Sequence, residues 1–148
     1  MSLSYFATSL CFFVLGGPAQ TAAPTYFAIH TRQLDVQKVW YQKWFGLDVA
    51  SEMNLPDGGK IVLLKKGNTL IEILQLKDAT PKAQAAGNPL GIFKTGIWIE
   101  GLDRLFNAMK AEKADLITNV FEEEKFAFRS FIVRDPDGNF LQFLEAKK

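Results

Sequence analysis

The run from Phe131 to Glu145, Phe-Ile-Val-Arg-Asp-Pro-Asp-Gly-Asn-Phe-Leu-Gln-Phe-Leu-Glu, leaves the chain few conformations. Phe131, Ile132 and Val133 favour a strand. Asp135-Pro136-Asp137-Gly138-Asn139 then stops the ladder. Pro136 sets φ at the first turn position, Gly138 accepts positive φ, and the Asp and Asn side chains bond nearby amides. A second strand follows, with Phe140, Gln142 and Leu144 on one face and Leu141, Phe143 and Glu145 on the other. Gln142 is therefore an amide among apolar neighbours, and what it faces is the question the rest of the chain must answer.

Upstream, the same order of elements occurs twice. Thr25 to Thr31 has strand periodicity, with Tyr26, Ala28 and His30 on one face and Phe27 and Ile29 on the other. Leu34 to Phe45 carries Val36, Val39, Trp40 and Trp44 at helical spacing, and Gly46 stands where a left-handed cap belongs. Leu47 to Met53, Ile61 to Lys65 and Thr69 to Leu76 are expected strands, separated by the turns Asn54–Gly59 and Lys66-Gly67-Asn68. A polar linker rich in Pro and Gly follows. The second half predicts a strand over Phe93–Ile99, a helix over Leu102–Ala114, and strands over Leu116–Phe121, Phe126–Arg134 and Phe140–Glu145. Leu34-Asp35 and Leu102-Asp103 open the two helices, and the same shift along the chain takes His30 to Trp98. At nearly the same shift, Glu72 and Gln142 hold the same place in the fourth strand of each half. The expected fold is α+β: two βαβββ modules, residues 24–80 and 91–148 joined by a linker at 81–90, forming a curved mixed sheet around a central cleft.

A chain of 148 residues is one domain with a substantial core. Its formal charge of +1 comes with no long basic run, so nothing points to nucleic acid. Cys11 is the single cysteine, which excludes an intrachain disulfide and a cysteine-based zinc site. Residues 1–23 form a segment with an uncharged apolar run from Tyr5 to Leu15, then Gly16-Gly17-Pro18-Ala19. This has the form of a secretory signal, too short to span a bilayer, although no Lys or Arg precedes the run. The alternative is an extra strand or arm packed on the fold. An export signal implies a periplasmic or secreted protein with no membrane partner after processing; an arm implies a cytoplasmic one.

The element order, the Leu34-Asp35…Trp40-Tyr41…Phe45-Gly46-Leu47 run and Asp135-Pro136-Asp137-Gly138-Asn139-Phe140-Leu141-Gln142 resemble the vicinal oxygen chelate superfamily. This is the group of glyoxalase I, bleomycin-resistance proteins and extradiol dioxygenases. The resemblance covers Pro24 to the C-terminus. It implies that an enzyme of this kind would hold one divalent metal from four inward positions, His or Gln on each first strand and Glu on each fourth. The matching positions here are Tyr26, Glu72, Lys94 and Gln142, and only Glu72 fits. An ammonium at Lys94 cannot ligate and would pair with Glu72 across the cleft. A neutral amide at Gln142 is a poor ligand for zinc or nickel. A one-residue register shift would turn Phe27, Phe93 or Thr95 inward, none of them a ligand.

His30 is the lone histidine, either a base at the cleft or a hydrogen-bonded residue at the sheet edge. Trp98 is a stacking surface or a core filler. Arg129 is an anion ligand or a solvent-edge residue, and Glu122-Glu123-Glu124-Lys125 is a solvated loop or a lid. The leading expectation is a binding protein similar to the bleomycin-resistance branch and needing no cofactor. It would hold a small polar or aromatic ligand among Tyr26, His30, Glu72, Lys94, Trp98, Arg129 and Gln142, and form a homodimer. The alternatives are a divalent-metal lyase or dioxygenase with an atypical site anchored by Glu72, and a metal-independent catalyst using Lys94 as a Schiff-base or acid–base group.

Overall fold

The computed structural model describes residues 25–80 and 91–147. The apolar N-terminal segment and the linker at 81–90 lie outside the described residues. In chain order the first half is β1 (Thr25–His30), α1 (Leu34–Phe45), β2 (Asp48–Asn54), β3 (Lys60–Lys66) and β4 (Thr69–Gln75). The second is β5 (Thr95–Trp98), α2 (Leu102–Ala111), β6 (Phe121–Glu123), β7 (Phe128–Arg134) and β8 (Phe140–Ala146). Each half builds one four-stranded mixed sheet, in the orders β1-β4-β3-β2 and β5-β8-β7-β6. In both, the first strand runs parallel to the fourth and the remaining pairs are antiparallel.

The register upholds the repeat. Ala28 pairs with Glu72, and Gly96 pairs with Gln142, so the shifts read from the sequence join equivalent positions. The helix starts are equivalent too. Gln75, at the end of β4, accepts a hydrogen bond from the amide of Leu34 at 3.2 Å. Glu145, its counterpart on β8, accepts from the amides of Gly101 and Leu102 at 2.6 and 3.2 Å. In each module the fourth strand thus satisfies amide donors that the helix N-terminus leaves free. Gly46 ends α1 at φ +60°, a conformation a residue with a Cβ adopts at a cost.

Four expected features differ. The run Leu116–Phe121 forms only an isolated bridge, Leu116 to Val133, and the edge strand begins at Phe121. Glu122 and Glu123 are strand residues rather than a free loop, because Lys147 pairs with Glu122 and Arg129 stands opposite it in the ladder. The three-residue turn Glu124–Phe126 then closes into β7. The second helix stops at Ala111, where Lys113 takes φ +56° and the chain turns away. Finally, β5 is only four residues long, which leaves Lys94 just outside it.

One core serves both modules. Ile29, Leu64, Ile71 and Ile73 of the first sheet cluster with Phe131, Val133, Leu141 and Phe143 of the second, together with residues of both helices. Phe45 at the end of α1 lies 4.9 Å from the ring of Phe143 on β8. Beside these rings the joint is polar. The buried Asp135 carboxylate accepts from the amides of Asp137 and Asn139 (3.0 and 2.8 Å), the Asn139 amide group (2.8 Å) and the hydroxyl of Tyr41 on α1 (3.0 Å). Burying a carboxylate is costly unless several donors reach it, and here four do. Burial, and then the neighbouring Asp135 charge, push the Tyr41 phenol far above its ordinary pKa, so it remains a donor at any physiological pH.

Tyr41→Phe removes one of those donors and should destabilise the protein by about 1–3 kcal/mol. A urea titration would show it as a lower midpoint at unchanged slope. In a double-mutant cycle with Asp135→Asn the two losses should be non-additive. An unshifted midpoint in Tyr41→Phe would remove the bridge from the account.

Candidate functional site

The helix-covered faces of both sheets meet in the single core, so their opposite faces lie on the side away from both helices. On that side β1 presents Tyr26 and His30, β4 Glu72, β5 Trp98, β7 Phe128 and Ser130, and β8 Gln142. No helix among the described residues covers these positions. This open face is the candidate site.

In the first sheet, the Tyr26 hydroxyl donates a hydrogen bond to the Glu72 carboxylate. Register explains the pairing: Ala28 is the neighbour of Glu72, and Tyr26 lies one pleat along on the same face. Tyr26 is 55% exposed, so the pair is open to solvent and to a ligand. The hydrogen bond to Glu72 raises the Tyr26 phenol above its usual range; reduced hydration and the carboxylate's charge act in the same direction. Lys94 was the expected partner of Glu72, but no ion pair among the described residues joins them. A strand neighbour with a rigid phenol replaces a long side chain that begins outside β5 and is exposed.

In the second sheet, Gln142 is only 6% exposed and donates from Nε2 to Ser130 Oγ on β7 at 2.8 Å. That pair answers what Gln142 faces: a neighbouring strand's hydroxyl, which the run of apolar residues around it had not revealed. Gly96 stands opposite Gln142, and a Cβ there would meet Leu144 Cδ1 at 3.0 Å, so the glycine makes room for leucine. Trp98 is 61% exposed and stands edge-on to Phe128 at 5.9 Å, while Phe126 stacks on Phe128 at 6.1 Å. This row of three rings forms an exposed apolar wall.

Two expected site residues are occupied elsewhere. His30 ends β1, and its Nε2 accepts a long 3.4 Å hydrogen bond from the Leu76 amide, holding the segment that leaves β4. Arg129 points to the helix side. Its guanidinium grips Asp103 in the first turn of α2 through two hydrogen bonds of 2.9 and 2.7 Å, with Glu145 at 3.6 Å. The arginine holds the Asp103 carboxyl below its ordinary pKa. Sequence reading missed Ser130 and Phe128; equal alternation of β7 against the open-face residues of β8 would have found both.

A divalent metal fits this face poorly. Glu72 already accepts from Tyr26, a phenol kept protonated. Gln142 is an amide directed to Ser130, and Lys94 is a cation. Among the described residues no three His, Cys, Asp or Glu side chains come together as a ligand set.

No protein-family model and no curated protein matches the sequence. Solved structures do match the fold. The glyoxalase/bleomycin-resistance/dioxygenase domain from Frankia sp. EAN1pec superposes with a TM-score of 0.70 at 15% identity, covering 86% of this chain and 99% of that one. The glyoxalase family protein from Enterococcus faecalis gives a TM-score of 0.66 at 16% identity, over 86% and 98% of the two chains. The trypanothione-dependent glyoxalase I of Leishmania major gives 0.66 at 19% identity, over 84% and 87%. The chain therefore has the glyoxalase/bleomycin-resistance fold, as the sequence motifs implied.

Tyrosinate absorbance followed against pH tests the Tyr26–Glu72 pair, with Tyr26→Phe subtracted to isolate the signal. Tyr26 should titrate above the ordinary phenol value of about 10, and Glu72→Gln should bring it back down. A folded-state pKa raised in this way adds stability that is fully present below the unfolded value and is lost as pH rises through the folded one. An ordinary titration, insensitive to Glu72→Gln, would mean the pair is not formed in solution.

Proposed function

For a chain with the glyoxalase/bleomycin-resistance fold, we propose a binding role at the open face, independent of a metal ion. The ligand is a small, planar, partly polar molecule. The observation that carries this reading is the state of Glu72: the one acid at the expected metal positions is hydrogen-bonded to a protonated phenol. A carboxylate–phenol pair offers a ligand both an acceptor and a hydroxyl, which suits an amide, amine or hydroxyl group. The Trp98–Phe128–Phe126 row supplies a stacking surface on the second sheet. Exposed Lys94 adds a cation just before β5. A homodimer, common in proteins similar to the bleomycin-resistance branch, would bring a second chain to the rim, and sedimentation of the purified protein tests for it.

Protein purified without chelator should contain no stoichiometric divalent metal, and added zinc, nickel or manganese should leave its melting temperature unchanged. A panel of small heteroaromatic compounds should contain members that raise that temperature, and Trp98→Ala and Glu72→Gln should each cancel the rise. A bound stoichiometric metal whose removal lowers the melting temperature would overturn the reading and favour a metal-dependent lyase or dioxygenase anchored by Glu72.

A further inference from the structure

The two ends of the module joint should be alike by the internal repeat, and they are not. At one end the turn after β7 fills the joint. Asp135 and Asn139 close that turn, and Asp135 reaches Tyr41 while Gln33 donates to Asp137 at 2.7 Å. The equivalent turn after β3 is closed by Lys66 and Thr69. The equivalence is fixed by the ladders: Lys65 pairs with Leu70 as Arg134 pairs with Phe140. Lys66 thus occupies the place of Asp135, and the first-half turn is one residue shorter. Where the acidic turn fills its end of the joint, the basic one leaves a groove of about 670 Å³ between the end of α1 and the start of α2.

The groove's chemistry is the reverse of the filled end's. Lys66 and Arg104 both line it. The Lys66 ammonium lies over Gly46, where a Cβ would come within 2.7 Å of Nζ. The Arg104 guanidinium folds over Gly101, across the groove. Neither cation forms an ion pair among the described residues. Lys43 is paired with Glu112 and lies over the Trp44 ring, and Glu100 is the one carboxylate on the groove's wall. An arginine in the first turn of a helix is electrostatically unfavourable there, since that end already carries positive potential. Both features together concentrate positive charge at a concave surface floored by apolar side chains such as Leu105 and Trp44.

We propose that this groove binds a small carboxylate with a planar apolar body, its charge held between Lys66 and Arg104 and its body against Trp44. The ligand would supply at this end the carboxylate that Asp135 supplies at the other. Trp98 of the open face also lines the groove, so the two sites adjoin there, but this one does not use Glu72 or Tyr26.

The probe is 2-naphthoate, titrated into the full chain and followed by amide cross-peaks in two-dimensional NMR. Saturable shifts are expected at Gly46, Thr69 and Gly101, with neutral 2-naphthalenemethanol much weaker. Lys66→Gln with Arg104→Gln should weaken binding at least roughly tenfold, as expected for loss of charge-assisted hydrogen bonds. The conservative pair Lys66→Arg with Arg104→Lys should retain binding, which separates lost charge from lost folding. Glu72→Gln should leave the affinity unchanged, so failure here is distinct from failure at the open face. Equal binding by the charge-removed protein, equal binding of the neutral alcohol, or shifts confined to open-face residues would each overturn the proposal.

Discussion

The Asp135 carboxylate is the point at which the two halves of the molecule depend on each other. It belongs to a turn of the second module, and its farthest donor in sequence, the Tyr41 hydroxyl, belongs to the helix of the first. Neither group is tolerable alone. A buried carboxylate without donors and a buried phenol without an acceptor each carry a desolvation cost that the pair removes. The same turn positions Phe143 against Phe45 at the start of the common core. With that joint fixed, both helices lie on one side and the open faces of both sheets on the other.

The repeated architecture makes functional differences visible as broken symmetry. Gln75 and Glu145 do the same work at the two helix starts, and there the copies agree in role. At Glu72 and Gln142 they diverge: one is a solvent-facing carboxylate bound by a phenol, the other a buried amide bound by a serine. At Lys66 and Asp135 they have opposite charge. Positions that hold the fold remain equivalent because both modules need the same hydrogen bonds. Where the copies part, one member is tied into the fold, Asp135 by Tyr41 and Gln142 by Ser130, and the other, Lys66 or Glu72, faces the groove or the open face.

Much of this was legible in the chain. Alternation placed Tyr26 and His30 on one side of β1 and Phe27 and Ile29 on the other, and the nearly constant shift between the halves matched equivalent positions of the two modules. The illegible parts depend on reach. Arg129 shares its strand face with Phe131 and Val133, but sequence does not show that α2 covers that face and offers Asp103 to it. Lys94 has the right spacing to meet Glu72, yet β5 is too short to include it and Tyr26 is nearer. The buried Gln37 on α1 gives no sequence signal either; both its polar side-chain atoms lack a partner among the described residues.

By itself the sequence determined the two βαβββ modules, the turn before the last strand and the mismatch between the four expected metal positions and the residues present. Those follow from local rules: side-chain alternation, turn stereochemistry and the donor chemistry of each residue type. Only the tertiary structure decided which groups satisfy one another. It gave Glu72 to Tyr26, Gln142 to Ser130, Arg129 to Asp103 and Asp135 to Tyr41. Hydrogen bonds and ion pairs act over about 3 Å, and residues far apart in the chain come within that distance only when strands and helices are packed.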